Sequence, residues 1–271
     1  FNIKETRLLH IAIPSINAEE IESYRRPQNQ GVFRTLHVAG RAAILKDLDA
    51  TQLFNELLSF LVAREIGLPV PDGFLAIVEK GSIKTKYAPL TPDGFPVVFA
   101  SADVKQPNLY SFITMGNGRI EDTLLKFMIN SLKKWEFLGA LYGFDTWTAN
   151  IDRHCGNLLF DGEKNFWLID HGHSFSGPDW PCHTLSANGC YENRLSEWMT
   201  PHLCDTDRNK QVADSDNFFG PISCDVFCHA VDKISSFGLL PENCVASLRE
   251  FLKDRKRYVN HYVEALREPL C

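Results

Sequence analysis

The chain has 271 residues, of which 44% are hydrophobic and 23% charged. That is enough to bury a substantial core and too few for more than about two domains. Its 28 basic and 34 acidic residues give a net charge of −6, and no long basic run or aromatic-interleaved Lys/Arg stripe occurs, which argues against general nucleic-acid binding.

No run of about 18 apolar residues and no charged-then-apolar opening segment is present, so the sequence predicts neither a membrane span nor export by a signal peptide. The first thirty residues are mixed and polar, punctuated by Pro14 and Pro27, and read as irregular or edge structure. From Val32 to Lys46 the pattern becomes strand-like, with Val32, Phe33, Leu36 and Val38 separated from Ala42, Ala43, Ile44 and Leu45 by a turn at Ala39-Gly40. Two strands joined by that turn follow. Leu53, Phe54, Leu57, Leu58 and Leu61 then repeat at helical spacing, and Gly67 with Pro69 and Pro71 marks the helix stop.

Phe74 to Val78 and Pro96 to Ala100 read as further strands, with turns between residues 89 and 94. A small mixed lobe therefore ends near Asp103, which divides the chain into residues 1–103 and 104–271. Beyond it, Leu124, Leu125, Met128, Leu132, Trp135, Leu138 and Leu141 predict one long helix over 121–142. More helices are expected at 224–236 and 242–267, the last opened by Pro241. The fold class that results is α+β, with a small mixed N-lobe and a mainly helical C-lobe.

The eight cysteines all lie beyond residue 154 and include no C-x-x-C. In a chain this size the expectation is reduced, mostly buried thiols and a cytoplasmic setting. The basic cluster from Lys253 to Arg257 reads as the solvated face of the last helix.

Functional side chains concentrate in one stretch. Residues 143–160 form a dense loop ending in Leu158-Leu159-Phe160, Asp161-Gly162 makes a turn, and Phe166-Trp167-Leu168-Ile169 forms a strand that delivers Asp170-His171-Gly172. Phosphoryl transfer needs a carboxylate to orient the attacking hydroxyl and hard oxygen ligands for magnesium. Asp152, Asn157 and Asp170 supply that set, and the hairpin brings the amide oxygen of Asn157 and the carboxylate of Asp170 within reach of one cation. Such ligands favour magnesium over zinc. Nucleotide phosphates also require a cation from the small lobe. Lys46 closes the strand Ala42-Ala43-Ile44-Leu45, and Glu56 on the following helix is placed to pair with it.

Three runs together resemble the HipA-like kinases, a group allied to phosphatidylinositol 3- and 4-kinases. They are Asn55-Glu56-Leu57-Leu58 through Gly67-Leu68-Pro69-Val70-Pro71, the loop Asn150-x-Asp152-Arg153-His154-x-x-Asn157-Leu158-Leu159, and Ile169-Asp170-His171-Gly172-His173-x-Phe175. The match runs in order from about Gly31 to Phe175. The resemblance implies a two-lobed protein-kinase-like fold that takes ATP and magnesium, with Asp152 as catalytic base and Asn157 and Asp170 on the metal. It also implies that Lys46 contacts the phosphates with Glu56 as its partner. Strand order then places an adenine-binding hinge at Val98, Phe99, Ala100 and Ser101, running to Ala102. Arg153 and His154 brace the loop. A protein Ser/Thr substrate ranks first, and an antitoxin-type or regulatory partner stays open.

Gly31 and Gly40 are the only small-lobe glycines near the first strands, so the phosphate cover is thin. This leaves a pseudokinase as an alternative, and, because the acceptor hydroxyl is chemically open, so is a lipid or small-molecule kinase. His154, Cys155, His171 and His173 also permit a zinc-hydrolase reading, although it leaves Lys46, Glu56 and Asn157 idle.

Overall fold

A computed structural model describes residues 21–24, 33–38, 41–78, 85–114 and 119–265, with side chains from residue 42 onward. Two strands, β1 (Ile21–Tyr24) and β2 (Phe33–Val38), precede β3 (Arg41–Lys46), and β2 and β3 are the pair expected from residues 32–46. Their antiparallel register sets Val38 opposite Arg41. The turn expected at Ala39-Gly40, and Gly31, lie outside the described residues, as does most of the opening segment.

After helix α1 (Ala50–Glu65) come β4 (Gly73–Ile77) and β5 (Val97–Ala102), completing a five-stranded antiparallel sheet in the order β1-β2-β3-β5-β4. β1 is its outer edge, within the segment read as irregular or edge. Helix α1 is capped by Asp49, whose carboxylate accepts the N–H of Gln52 at 2.9 Å. At its other end Gly67 takes φ +83°, a left-handed conformation that glycine adopts without a Cβ penalty.

The helix buries more than one face. Leu53, Phe54, Leu57 and Leu58 are buried, and so are the polar Asn55, Glu56 and Ser59. Buried polar groups need partners, and those of α1 lie in the functional site.

The helical lobe begins with α2 (Leu109–Ile113), capped by Asn108 through Ser111 N–H at 2.8 Å. Where the sequence predicts one helix over 121–142, the structure has two, α3 (Asp122–Lys134) and α4 (Leu138–Trp147). The two segments meet different surroundings, which accounts for the break. α3 buries only Met128, Ile129 and Leu132, whereas nearly every residue of α4 is buried. Trp135 turns extended with ψ 127°, which sets its ring 5.9 Å from that of Phe137 and 5.0 Å from Phe166.

The strands β6 (Leu158–Phe160) and β7 (Phe166–Leu168) form the expected hairpin, pairing Leu158 with Leu168. Helices α5 (Arg194–Met199), α6 (Asp205–Phe219), α7 (Asp225–Ser235) and α8 (Glu242–Glu264) complete the lobe. Among the described residues no helix is long and apolar enough to cross a membrane.

Two expectations are corrected here. Cys182 and Cys244 form a disulfide, and of the remaining described cysteines only Cys228 is buried, with Cys190 and Cys204 exposed; the expectation of reduced, mostly buried thiols therefore fails. The basic cluster on α8 is not wholly solvated either. Arg255 is 1% exposed and donates to the carbonyls of Thr146, Ala187 and Gly189 at 2.7–2.8 Å. Its guanidinium also faces the rings of Tyr191, Phe251 and Tyr262.

Candidate active site

Lys46 ends β3 with its ammonium buried between two carboxylates, 2.7 Å from Glu56 Oε1 and 2.6 Å from Asp170 Oδ1. Burial disfavours that charge, but Asp170 and Glu56 outweigh it and hold the ammonium above its ordinary range. The other oxygen of Glu56 accepts the backbone N–H of His171 at 2.6 Å. One carboxylate on α1 thus fixes both the cation of the sheet and the loop that follows β7.

That loop begins with Asp170 at φ +59°, a left-handed conformation tolerated by Asp at modest cost. Asn55 binds its continuation. Its amide donates to the carbonyls of Gly172, Ser174 and Gly177 at 3.0–3.2 Å, and its oxygen accepts from Trp180 Nε1 at 3.0 Å. Ser59 adds a hydroxyl contact to Ser174 at 2.9 Å.

The hairpin is held to both lobes. Leu168 N–H donates to the carbonyl of Pro69 just past α1 at 2.8 Å, and Phe160 N–H donates to that of Pro107 at 3.0 Å. Within it, Ile169 N–H donates to the carbonyl of Asn157 at 3.1 Å, which sets Asp170 beside Asn157.

Arg153, fully buried, is the brace of the loop. It donates to the carboxylate of Asp145 at 3.0–3.3 Å and to the carbonyls of Asn157 at 3.1 Å and Ile169 at 2.6 Å. Burial pushes the Asp145 carboxyl up, against the pull of this guanidinium. Arg153 also lies 3.0 Å from His171 Nδ1. Burial, with Arg153 and Lys46 nearby, holds that imidazole well below its ordinary value; the neutral ring accepts at Nδ1. His154 accepts the N–H of Gly156 at 2.9 Å, a local turn contact.

Asp152 carries a side chain 23% exposed on a backbone fixed at two points. Its N–H donates to Asn150 Oδ1 at 3.1 Å, and its carbonyl accepts from Asn157 Nδ2 at 2.8 Å. With its nitrogen committed to this bond, the Asn157 side chain keeps its oxygen as the acceptor. The Asp152 carboxylate receives Arg194 at 2.5 Å on Oδ1, while His173 Nδ1 and His154 Nε2 are 3.5 and 3.9 Å from Oδ2.

The structure thus brings together Lys46, Glu56, Asp170, Asn157 and Asp152. It does not bring Val98, Phe99, Ala100 and Ser101 to the cleft as a hinge. They lie inside β5, where Phe99, Ala100 and Ser101 are paired with β3 on one side and β4 on the other and Val98 is paired with β4, and a strand between two neighbours has its backbone groups engaged in the ladders. The zinc reading also loses its geometry. His171 faces Arg153 and His173 faces Asp152, and among the described residues no group of three or more His, Cys, Asp and Glu is placed to hold a metal.

Three site residues were not singled out as functional from the sequence: Asp145, Asn55 and Arg194. Asn55 sits inside a quoted motif and Asp145 inside the dense stretch 143–160, so density of polar residues on buried helices was the available signal. Arg194 lies 42 positions from its partner, and nothing local marks it.

A family model described as HipA-like kinase matches residues 44–215. No curated protein matches the chain. Among solved structures, the crystal structure of CtkA, a proinflammatory kinase of Helicobacter pylori, is similar in fold, with a TM-score of 0.59. At 15% sequence identity it covers 93% of this chain and 98% of its own.

Proposed function

The chain belongs to the HipA-like kinase family, and from that premise we propose that it transfers the γ-phosphoryl group of ATP to the hydroxyl of Ser or Thr in a protein, with magnesium. The observation that carries this reading is the buried Lys46 ammonium held between Glu56 and Asp170, beside the Asn157–Ile169 contact. A lysine so placed is a fixed point charge suited to phosphate oxygens.

Asn157 Oδ1 and the Asp170 carboxylate fit magnesium as hard oxygen donors, and the amide orientation of Asn157 supports this. When bound, magnesium neutralises charge on the β- and γ-phosphates and fixes their geometry. Lys46 holds the phosphates, kept in place by Glu56. Asp152 accepts the proton of the acceptor hydroxyl while the acceptor oxygen bonds to the γ-phosphorus. The bond from that phosphorus to the bridging oxygen breaks, and its electron pair leaves on ADP. Positioned base catalysis of this kind contributes about 10²–10⁴-fold. Arg153 transfers no proton in this scheme and keeps the loop in shape.

The lobe division falls at Asp103, and backbone groups for the adenine edge come from residues 104–106, which follow β5 and precede the contact of Pro107 with the hairpin. The test is incubation with γ-labelled ATP and magnesium, alone and with cell lysate, followed by mass spectrometry. Wild type is expected to label Ser or Thr and Asp152→Ala to label nothing. Label confined to lipid or small molecules would remove the protein substrate, and equal labelling by the variant would remove Asp152 as the base.

A further inference from the structure

Arg194 reaches the Asp152 carboxylate from 42 positions away, and a surface pair of this kind adds about 1 kcal/mol or less to stability. The Arg194 side chain is 49% exposed. Its NH1 donates to Asp152 Oδ1 at 2.5 Å, and its Nε donates to Glu192 at 3.2 Å, which orients the guanidinium from behind. Among the described residues no donor is as close to Oδ2, where His173 and His154 stand at 3.5 and 3.9 Å.

The segment that delivers Arg194 is anchored. Cys182 is bonded to Cys244 on α8. The carbonyls of Ala187 and Gly189 receive the buried Arg255, whose guanidinium lies 4.6 Å from the ring of Tyr191. The hydroxyl of Tyr262 donates to the carbonyl of Asn188. Asn193 then caps α5 through Ser196 N–H at 3.0 Å, and Arg194 is the first residue of that helix.

From this we infer that Arg194 is a positioning residue for phosphoryl transfer: it ties down one oxygen of Asp152 so that the other, Oδ2, is presented to the acceptor hydroxyl. The inference rests on the reading of Asp152 as base. A carboxylate free to rotate spends part of its time out of line with the proton it must take, and small misplacements of a reacting group cost up to about 10²-fold in rate. Holding Oδ1 from a second, separately anchored segment removes that freedom, and it leaves the proton's path to Oδ2 unchanged.

The experiment compares Arg194→Ala, Arg194→Lys and Asp152→Ala in steady-state phosphotransfer, with thermal unfolding measured on each. Arg194→Ala is expected to lower kcat by about 10–100-fold while leaving KM for ATP nearly unchanged. Arg194→Lys keeps a charge within reach and recovers part of the rate. Added guanidinium ion at non-denaturing concentration restores part of the Arg194→Ala rate and none of the Asp152→Ala rate. An unchanged or raised kcat in Arg194→Ala, with Asp152→Ala inactive, overturns this role alone. A lowered kcat accompanied by a lowered Tm, with no rescue by Lys or guanidinium, overturns it in favour of a structural contact. Activity in Asp152→Ala removes the reading beneath it.

Discussion

Glu56 does two jobs with two oxygens, one on the Lys46 ammonium and one on the His171 N–H. In Glu56→Gln the single remaining oxygen serves only one of them, and Lys46 is drawn onto Asp170. We expect kcat/KM for ATP to fall by about 10–100-fold, a loss of 1–3 kcal/mol of transition-state stabilisation, with the fold kept by circular dichroism. Arg153→Ala belongs to a different class. It strands the buried Asp145 carboxylate and the carbonyls of Asn157 and Ile169, and should cost about 3–5 kcal/mol in denaturant unfolding. The candidate residues Lys46, Glu56, Asp152, Asn157 and Asp170 were legible because each has a chemical requirement attached to a fixed place in a strand, helix or hairpin. Arg194 was not, because its contact with Asp152 comes from a tertiary approach between segments that share no local pattern.

Elements were legible where hydrophobic period and stop signals agreed, as in α1, whose apolar repeat ends at Gly67. They failed where tertiary packing overrode local pattern. The apolar stripe of α3 runs on in sequence into α4, yet α4 is buried on nearly all sides and the chain must turn at Trp135 to bury both. α6 gave no signal, since it buries Gln211 and Ser215 beside only Val212 and Phe219. It packs against α4 where Gly139 has no side chain: a Cβ there would meet the Gln211 carbonyl at 2.4 Å. Gly139→Ala must therefore separate the helices, and about 1–3 kcal/mol of lost stability is expected. The hairpin turn has its own support, as Asp161 Oδ1 accepts the N–H groups of Glu163, Lys164 and Asn165 at 2.8–3.1 Å. Slight burial opposes its charge, but these bonds outweigh it and hold the carboxyl below its ordinary range. Such a group stabilises the fold above its unfolded value of about 4, and the contribution is lost as the pH falls through the lower, folded value. Asp161→Ala should cost about 1 kcal/mol at neutral pH, and its deficit relative to wild type should vanish in strong acid.

At the scale of the molecule, a chain of net charge −6 is read as binding a polyanion, so the attraction must be local. Under the proposed function, Lys46 together with magnesium at Asn157 and Asp170 would provide it, since Lys46 alone is matched by Glu56 and Asp170. The helical lobe is closed by Cys182–Cys244 over a separation of 62 residues, a loop whose closure stabilises by up to about 4 kcal/mol. Reductant should lower the unfolding midpoint of wild type and leave that of Cys182→Ser unmoved. The pairing was invisible in the spacing of eight cysteines, since connectivity follows from the fold. The division of labour in the cleft is what a single measurement tests most directly: calorimetric titration of ATP with magnesium into wild type, Asp152→Ala and Asp170→Asn. Asp152→Ala, expected to be inactive in transfer, should bind nucleotide about as tightly as wild type, while Asp170→Asn should lose its magnesium-dependent affinity. Undiminished magnesium-dependent binding by Asp170→Asn, or no binding by wild type, would contradict the assignment.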